Sequence, residues 1–98
     1  MIKALSNAPD EVVAVHAAMI ANAQQAWPGE DMDALRPVYA RKDNDGSWLV
    51  GCNFPGFCDT MRHNCSGWFY RESFSGRDVP MANGYEEALR NARVCFTG

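Results

Sequence analysis

Four side chains capable of metal ligation or thiol chemistry fall in one short stretch, Cys52, Cys58, His63 and Cys65, spaced C-x5-C-x4-H-x-C. Zinc takes four such ligands tetrahedrally, and spacings of roughly two to four residues usually bring them together in pairs. No C-x2-C pair is present here. Cys52 also alternates with Trp48, Val50 and Phe54, which places its thiol on a packed strand face. The pattern therefore predicts buried or incidental cysteines, no metal and no cofactor. A small zinc-binding or structural adaptor domain is the alternative, and it would rest on Cys58, His63 and Cys65. Cysteines of a cytoplasmic protein stay mostly reduced. Cys58 and Cys65 share a loop and are the first pair to consider for a bridge, and Cys95 is expected to pack near the end of the last helix.

Nucleophilic chemistry needs a base beside the thiol to raise its thiolate fraction. Cys58 and His63 are near in sequence, but no nucleophile elbow or glycine-rich oxyanion loop accompanies them. His16 lies on the apolar stripe of a helix, where a half-buried imidazole bonded to a neighbour is the expectation. There is no G-x-x-x-x-G-K-[ST] phosphate loop and no pair of carboxylates in an apolar setting. The chain reads as a binding protein and not as an enzyme.

Two acidic clusters remain, Glu30, Asp31 and Asp33 in one connector and Asp43 and Asp45 at a turn. Each alone reads as a solvated turn. Together they would steer association with a basic groove, because the summed field of several charges sets encounter rates. Phe57, Met61, Arg62 and His63 on the following loop would add an apolar and arginine anchor of the kind enriched in interfaces, with Phe57 and Arg62 as the contact residues. The net charge is −3, and residues 1–34 hold only Lys3 against five acids. Phosphate binding needs concentrated positive charge, and no Lys/Arg run is present, so direct binding of nucleic acid is not expected.

The elements that position these residues follow from periodicity. Val12, His16, Met19, Ile20, Ala23 and Trp27 recur at helical spacing from about Pro9 to Ala26. Asn7 is the expected N-cap, and Asp10 and Glu11 suit the positive end of the helix dipole. Pro28-Gly29 ends the helix. One helical turn is expected over Met32-Asp33-Ala34-Leu35. A strand over Val38 to Lys42, the turn Asp43-Asn44-Asp45-Gly46 and a strand over Ser47 to Phe54 form a hairpin. Pro55 to Cys65 reads as a loop, Ser66 to Phe74 as a third strand and Ser75 to Asn83 as a second loop. Asn83 caps a last helix with Glu86 in capping-box position, and Tyr85, Ala88, Leu89 and Ala92 form its buried stripe.

The predicted fold is α+β: helix, three-stranded antiparallel meander, helix, packed in two layers as a single domain over residues 1–98. Ninety-eight residues with 47% apolar content suffice for one core. This order of elements is similar to that of double-stranded-RNA-binding domains. Those grip phosphate with a basic last-helix N-terminus, whereas Asn83-Gly84-Tyr85-Glu86-Glu87 presents carboxylates there. The stretch between Glu11 and Glu30 contains His16, Asn22, Gln24 and Gln25 and is too polar to span a bilayer. No secretory signal is recognisable, so the expected location is the cytoplasm. Small acidic domains without an enzymatic signature are common among phage and mobile-element inhibitors. The function expected is accordingly inhibition, of the anti-CRISPR kind, of a host nucleic-acid-binding complex through protein–protein contact.

Overall fold

A computed structural model describes residues 5, 7–54, 60–72 and 75–98 of the chain. In chain order the elements are α1 (Asp10–Ala26), α2 (Met32–Leu35), β1 (Val38–Lys42), β2 (Trp48–Cys52), β3 (Thr60–Asn64), β4 (Gly67–Arg71), β5 (Asp78–Pro80) and α3 (Gly84–Val94). The strands form one antiparallel sheet in the order β1-β2-β3-β4-β5. The α+β class holds, and the expected three-stranded meander is extended to five strands. Thr60–Asn64 falls within the expected loop because Met61 is its one apolar residue and no alternation marks a strand. It pairs on both sides, Met61 with Val50 and with Tyr70. The three-residue β5 was read as loop because its proline argues against a central strand, and it lies at an edge.

Both long helices cover the same face of the sheet and pack against each other, with α1 over β1 and β2 and α3 over β4. Val12, Val15 and Met19 of α1 meet Trp48, Val50, Met61 and Trp68 of the strands. Ala88 and Ala92 let α3 approach closely, and both are fully buried. The start of α1 differs by one residue from expectation, and its N-cap by two: Pro9, rather than Asn7, takes that position and makes no side-chain cap. At α3 the Asn83 side chain makes no cap either. Its backbone N–H donates to Glu87 Oε1 at 3.2 Å, one residue later than the expected Glu86.

Asn22 ties the two helices together. Its Nδ2 donates to the Arg93 carbonyl at 2.6 Å and to Thr97 Oγ1 at 2.8 Å, and its Oδ1 accepts from Phe96 N at 2.6 Å. A side chain of α1 thus satisfies the Arg93 carbonyl, one of those that the C-terminal end of a helix leaves unpaired, and accepts from the Phe96 N–H just beyond α3.

The other sheet face carries Tyr39, Leu49, Gly51, Thr60 and Arg62. Leu49 is fully buried although it lies opposite the helices. Tyr39 lies across Gly51 and shares a hydrogen bond of 2.8 Å with Thr60 Oγ1. A Cβ on residue 51 would sit 2.8 Å from the Tyr39 hydroxyl and 2.9 Å from its ring. Gly51→Ala is therefore expected to swing Tyr39 out and to cost about 1–3 kcal/mol as an overpacked site. A Tyr39→Ala background should remove most of that cost. Urea denaturation of the four members of the cycle checks it, and equal cost of Gly51→Ala in both backgrounds would refute the contact.

Candidate functional site

The β1–β2 turn builds the first feature. Asp43 N donates to Ser47 O at 2.8 Å, and Gly46 takes a positive φ of 89°, which the turn requires. Asp43 Oδ1 accepts from Asn44 N at 2.9 Å, and Asp45 Oδ1 accepts from Ser47 N at 3.0 Å and Ser47 Oγ at 2.6 Å. Both carboxylates are fixed by their own turn before any cation is added.

Arg62 on β3 then reaches into this turn. Its Nη1 lies 3.1 Å from Asp43 Oδ2 and 3.3 Å from Asp45 Oδ2, and it donates to Ser47 Oγ. Its Nε lies 3.1 Å from Asp78 Oδ2 of β5, an ion pair that is not aligned as a hydrogen bond. Hydrogen bonds from Asn44 and then Arg62 hold the Asp43 carboxyl below the usual range. Those from Ser47, aided by the Arg62 charge, do the same for Asp45. Burial of Arg62 works against its charge, but the three aspartates more than offset this and hold its pKa above the ordinary value. Three carboxylates around one guanidinium leave a net charge of −2 at this corner. Arg62 is 8% exposed, so solvent and partners meet the carboxylates, above all Asp45, whose side chain is 64% exposed.

The other predicted contact residues are divided between two places. Glu30, Asp31 and Asp33 are all exposed near α2, with Asp31 Oδ1 capping that turn through Asp33 N at 2.9 Å. They precede β1, whereas Asp43 and Asp45 follow it. Five residues of strand separate the two groups by about 13 Å, so the connector does not fold against the hairpin tip. Phe57 lies outside the described residues, as do Cys58 and Phe74. Met61, expected on a loop, is fully buried in the core.

Of the cysteine and histidine constellation Cys58 lies outside the described residues, and the other members form no common site. His63 faces the helices, with its ring 4.8 Å from Trp68 and its Nε2 3.8 Å from Glu11 Oε1. Glu11 also accepts the Trp68 indole N–H at 2.8 Å. Burial pulls the His63 pKa below its ordinary value, and Glu11 only partly opposes that. Cys52 donates its thiol to the Phe54 carbonyl at 3.2 Å, and Cys65 is exposed in the β3–β4 turn. Among the described residues no three of His, Cys, Asp and Glu are grouped to hold a metal. Cys95 packs against the core as expected but is disulfide-bonded, and Cys65 is a free thiol, which corrects the expectation of mostly reduced cysteines and of Cys58 with Cys65 as the first pair.

A second feature is a cavity of about 680 Å³ between α1, α2 and the edge of β1. His16 and Ile20 line it from α1, Asp33 and Arg36 from the α2 side, and Val38 and Ala40 from β1. Arg36 holds a left-handed backbone, φ 48° and ψ 57°, and its carbonyl accepts from Asn53 Nδ2 at 2.7 Å. That bond fixes the exit of α2 against the end of β2. His16 is 5% exposed, and burial pushes its pKa below the ordinary value, so the ring is neutral near pH 7. The neighbour expected to bond it is missing: among the described residues His16 makes no hydrogen bond. Reading the sequence alone missed Arg36, Asn53 and Asp78. Their only local signals were a residue before proline, a polar residue ending a strand and an acid in an apparent loop. No protein-family model, curated protein or solved structure matches this chain.

Proposed function

We propose that this chain is a small acidic binding protein, not an enzyme, that acts by protein–protein contact. In this reading it is a phage or mobile-element inhibitor of the anti-CRISPR kind. It would occupy the basic nucleic-acid-binding surface of a host complex. The observation that supports the reading is the carboxylate corner formed by Asp43, Asp45 and Asp78 around the enclosed Arg62. Carboxylates already fixed by their own turn lose little freedom on binding, which favours affinity. The second acidic group, Glu30, Asp31 and Asp33, stands at the far end of β1.

The test compares wild type with a Glu30→Lys, Asp33→Lys and Asp45→Lys triple variant, which leaves Asp43 in place. Exposed pairs are individually worth about 0.2–1 kcal/mol, so single substitutions should change little. The triple variant should associate with a purified CRISPR effector complex at least about tenfold more slowly at low salt. Wild type, but not the variant, should also block nucleic-acid loading. Equal association rates at all ionic strengths would remove electrostatics from the mechanism. Tight binding of free DNA or RNA by the wild-type chain at physiological salt would overturn the reading itself.

A further inference from the structure

We propose that the open edge of β1 docks an acidic, extended segment of a partner protein. The segment adds to the sheet as a further strand and places an aliphatic side chain in the adjoining cavity. The hydrogen-bond phase of the β1–β2 ladder is fixed at both ends, by Asp43 N donating to Ser47 O and Asn53 N donating to Pro37 O. In an antiparallel pair, bonded and non-bonded residues alternate. With the observed register, Tyr39 and Arg41 therefore bond to β2. Val38, Ala40 and Lys42 turn their N–H and C=O groups outward.

Those outward groups have no partner among the described residues. Val38 is only 7% exposed, and main-chain groups in such enclosed positions are ordinarily paired. The His16 ring, which makes no side-chain hydrogen bond among the described residues, lines the same space. A groove between a helix and an open edge strand is the setting in which extended peptides add to sheets. There the main-chain bonds give affinity, and pockets for alternate side chains give specificity. Along such a strand one set of side chains meets Ile20, Met32 and Val38 in the cavity. The other set emerges on the opposite face beside Arg41, whose guanidinium lies 6.0 Å from the centre of the Tyr39 ring.

Charge selects the occupant. Arg36, Arg41 and Lys42 are exposed along this edge, and none is ion-paired among the described residues. Among the described residues Asp33 is the one carboxylate lining the cavity. Glutamate or aspartate at alternate positions of the incoming strand complements that row.

The probe is an acetylated, amidated heptapeptide alternating glutamate and valine, titrated into the full chain by amide NMR. A peptide with lysine in place of glutamate serves as control. The expected result is saturable binding with the largest shifts at Val38, Ala40 and Lys42, and at least tenfold weaker binding of the lysine peptide. Ala40→Pro removes an outward N–H that makes no bond to β2 and should abolish binding. Arg41→Glu with Lys42→Glu leaves the backbone alone and should weaken binding at least tenfold. Equal binding of both peptides, or shifts confined elsewhere, overturns the proposal. So does a concentration-dependent dimer dissolved by Ala40→Pro, which would assign the edge to a second copy of the chain. Ala40→Pro leaves every charge in place, so its outcome is independent of the inhibitor reading.

Discussion

Asn22→Leu is expected to destabilise the protein by about 3 kcal/mol, because it strips partners from Phe96 N and the Arg93 carbonyl while keeping the side-chain volume. A polar group left without a partner where water is excluded costs about 1–3 kcal/mol; Asn22 is 2% exposed, whereas Phe96 is half-buried and Arg93 exposed, so each loss falls toward the lower end. For a chain of this length that corresponds to a fall in melting temperature of roughly 15 °C. Asn22→Asp keeps an acceptor for Phe96 N but sets a carboxylate against the Arg93 carbonyl, so it should rescue only part of the loss. Thermal denaturation followed by circular dichroism reads both. A loss below about 1 kcal/mol for Asn22→Leu would show that the C-terminal end of α3 is held by other contacts.

Arg62→Met should give the second large loss, and its pH dependence identifies the cause. Hydrogen bonds to charged groups are worth about 1.5–3 kcal/mol each. The variant gives up the bond to Ser47 Oγ in an enclosed site, so a loss of about 2 kcal/mol at pH 7 is expected. Asp43 and Asp45 have folded pKa values below their ordinary value of 3.8. Their favourable contribution is thus fully present above that value and is lost as pH falls through the lower folded values. The wild type's advantage over Arg62→Met should therefore shrink without vanishing on acidification below about pH 4, because the Ser47 bond does not titrate, while the difference stays constant from pH 5 to 7. Denaturant midpoints across that range measure it. A gap unchanged down to pH 2 would mean that the Ser47 bond and the arginine stem, not the pairs with Asp43 and Asp45, supply the stability.

Long, regular signals were legible in the sequence and short or non-local ones were not. The 3.6-residue recurrence from Val12 to Trp27 located α1 to within two residues. The alternation of Trp48 and Val50 around the Asp43 turn located the first hairpin. Thr60–Asn64 was hidden because Arg62 and His63 are polar. Arg62 is buried there only because three aspartates from two other segments surround it. That arrangement depends on register, which no local pattern carries. The same limit applied to the candidate sites. Asp43 and Asp45 were visible as a cluster, but their cation and the third carboxylate, Asp78, were not. His16 was placed correctly on the apolar stripe, whereas the cavity beside it exists only once α2 and β1 come together.

The two edges of the sheet are chemically unequal. Met81 N donates to Trp68 O and Glu72 N donates to Arg77 O, which set the phase of the β4–β5 ladder. By alternation and the observed register, Asp78 and Pro80 turn their main chains outward. Proline has no N–H to give. The β5 edge thus offers a single donor over three residues, while β1 offers three over five. Strand addition at β1 would therefore cap the molecule, because the opposite side is a poor template for the next unit. Any assembly made through this sheet is finite, with a fixed stoichiometry, and the chain is protected against growing into fibres at high concentration.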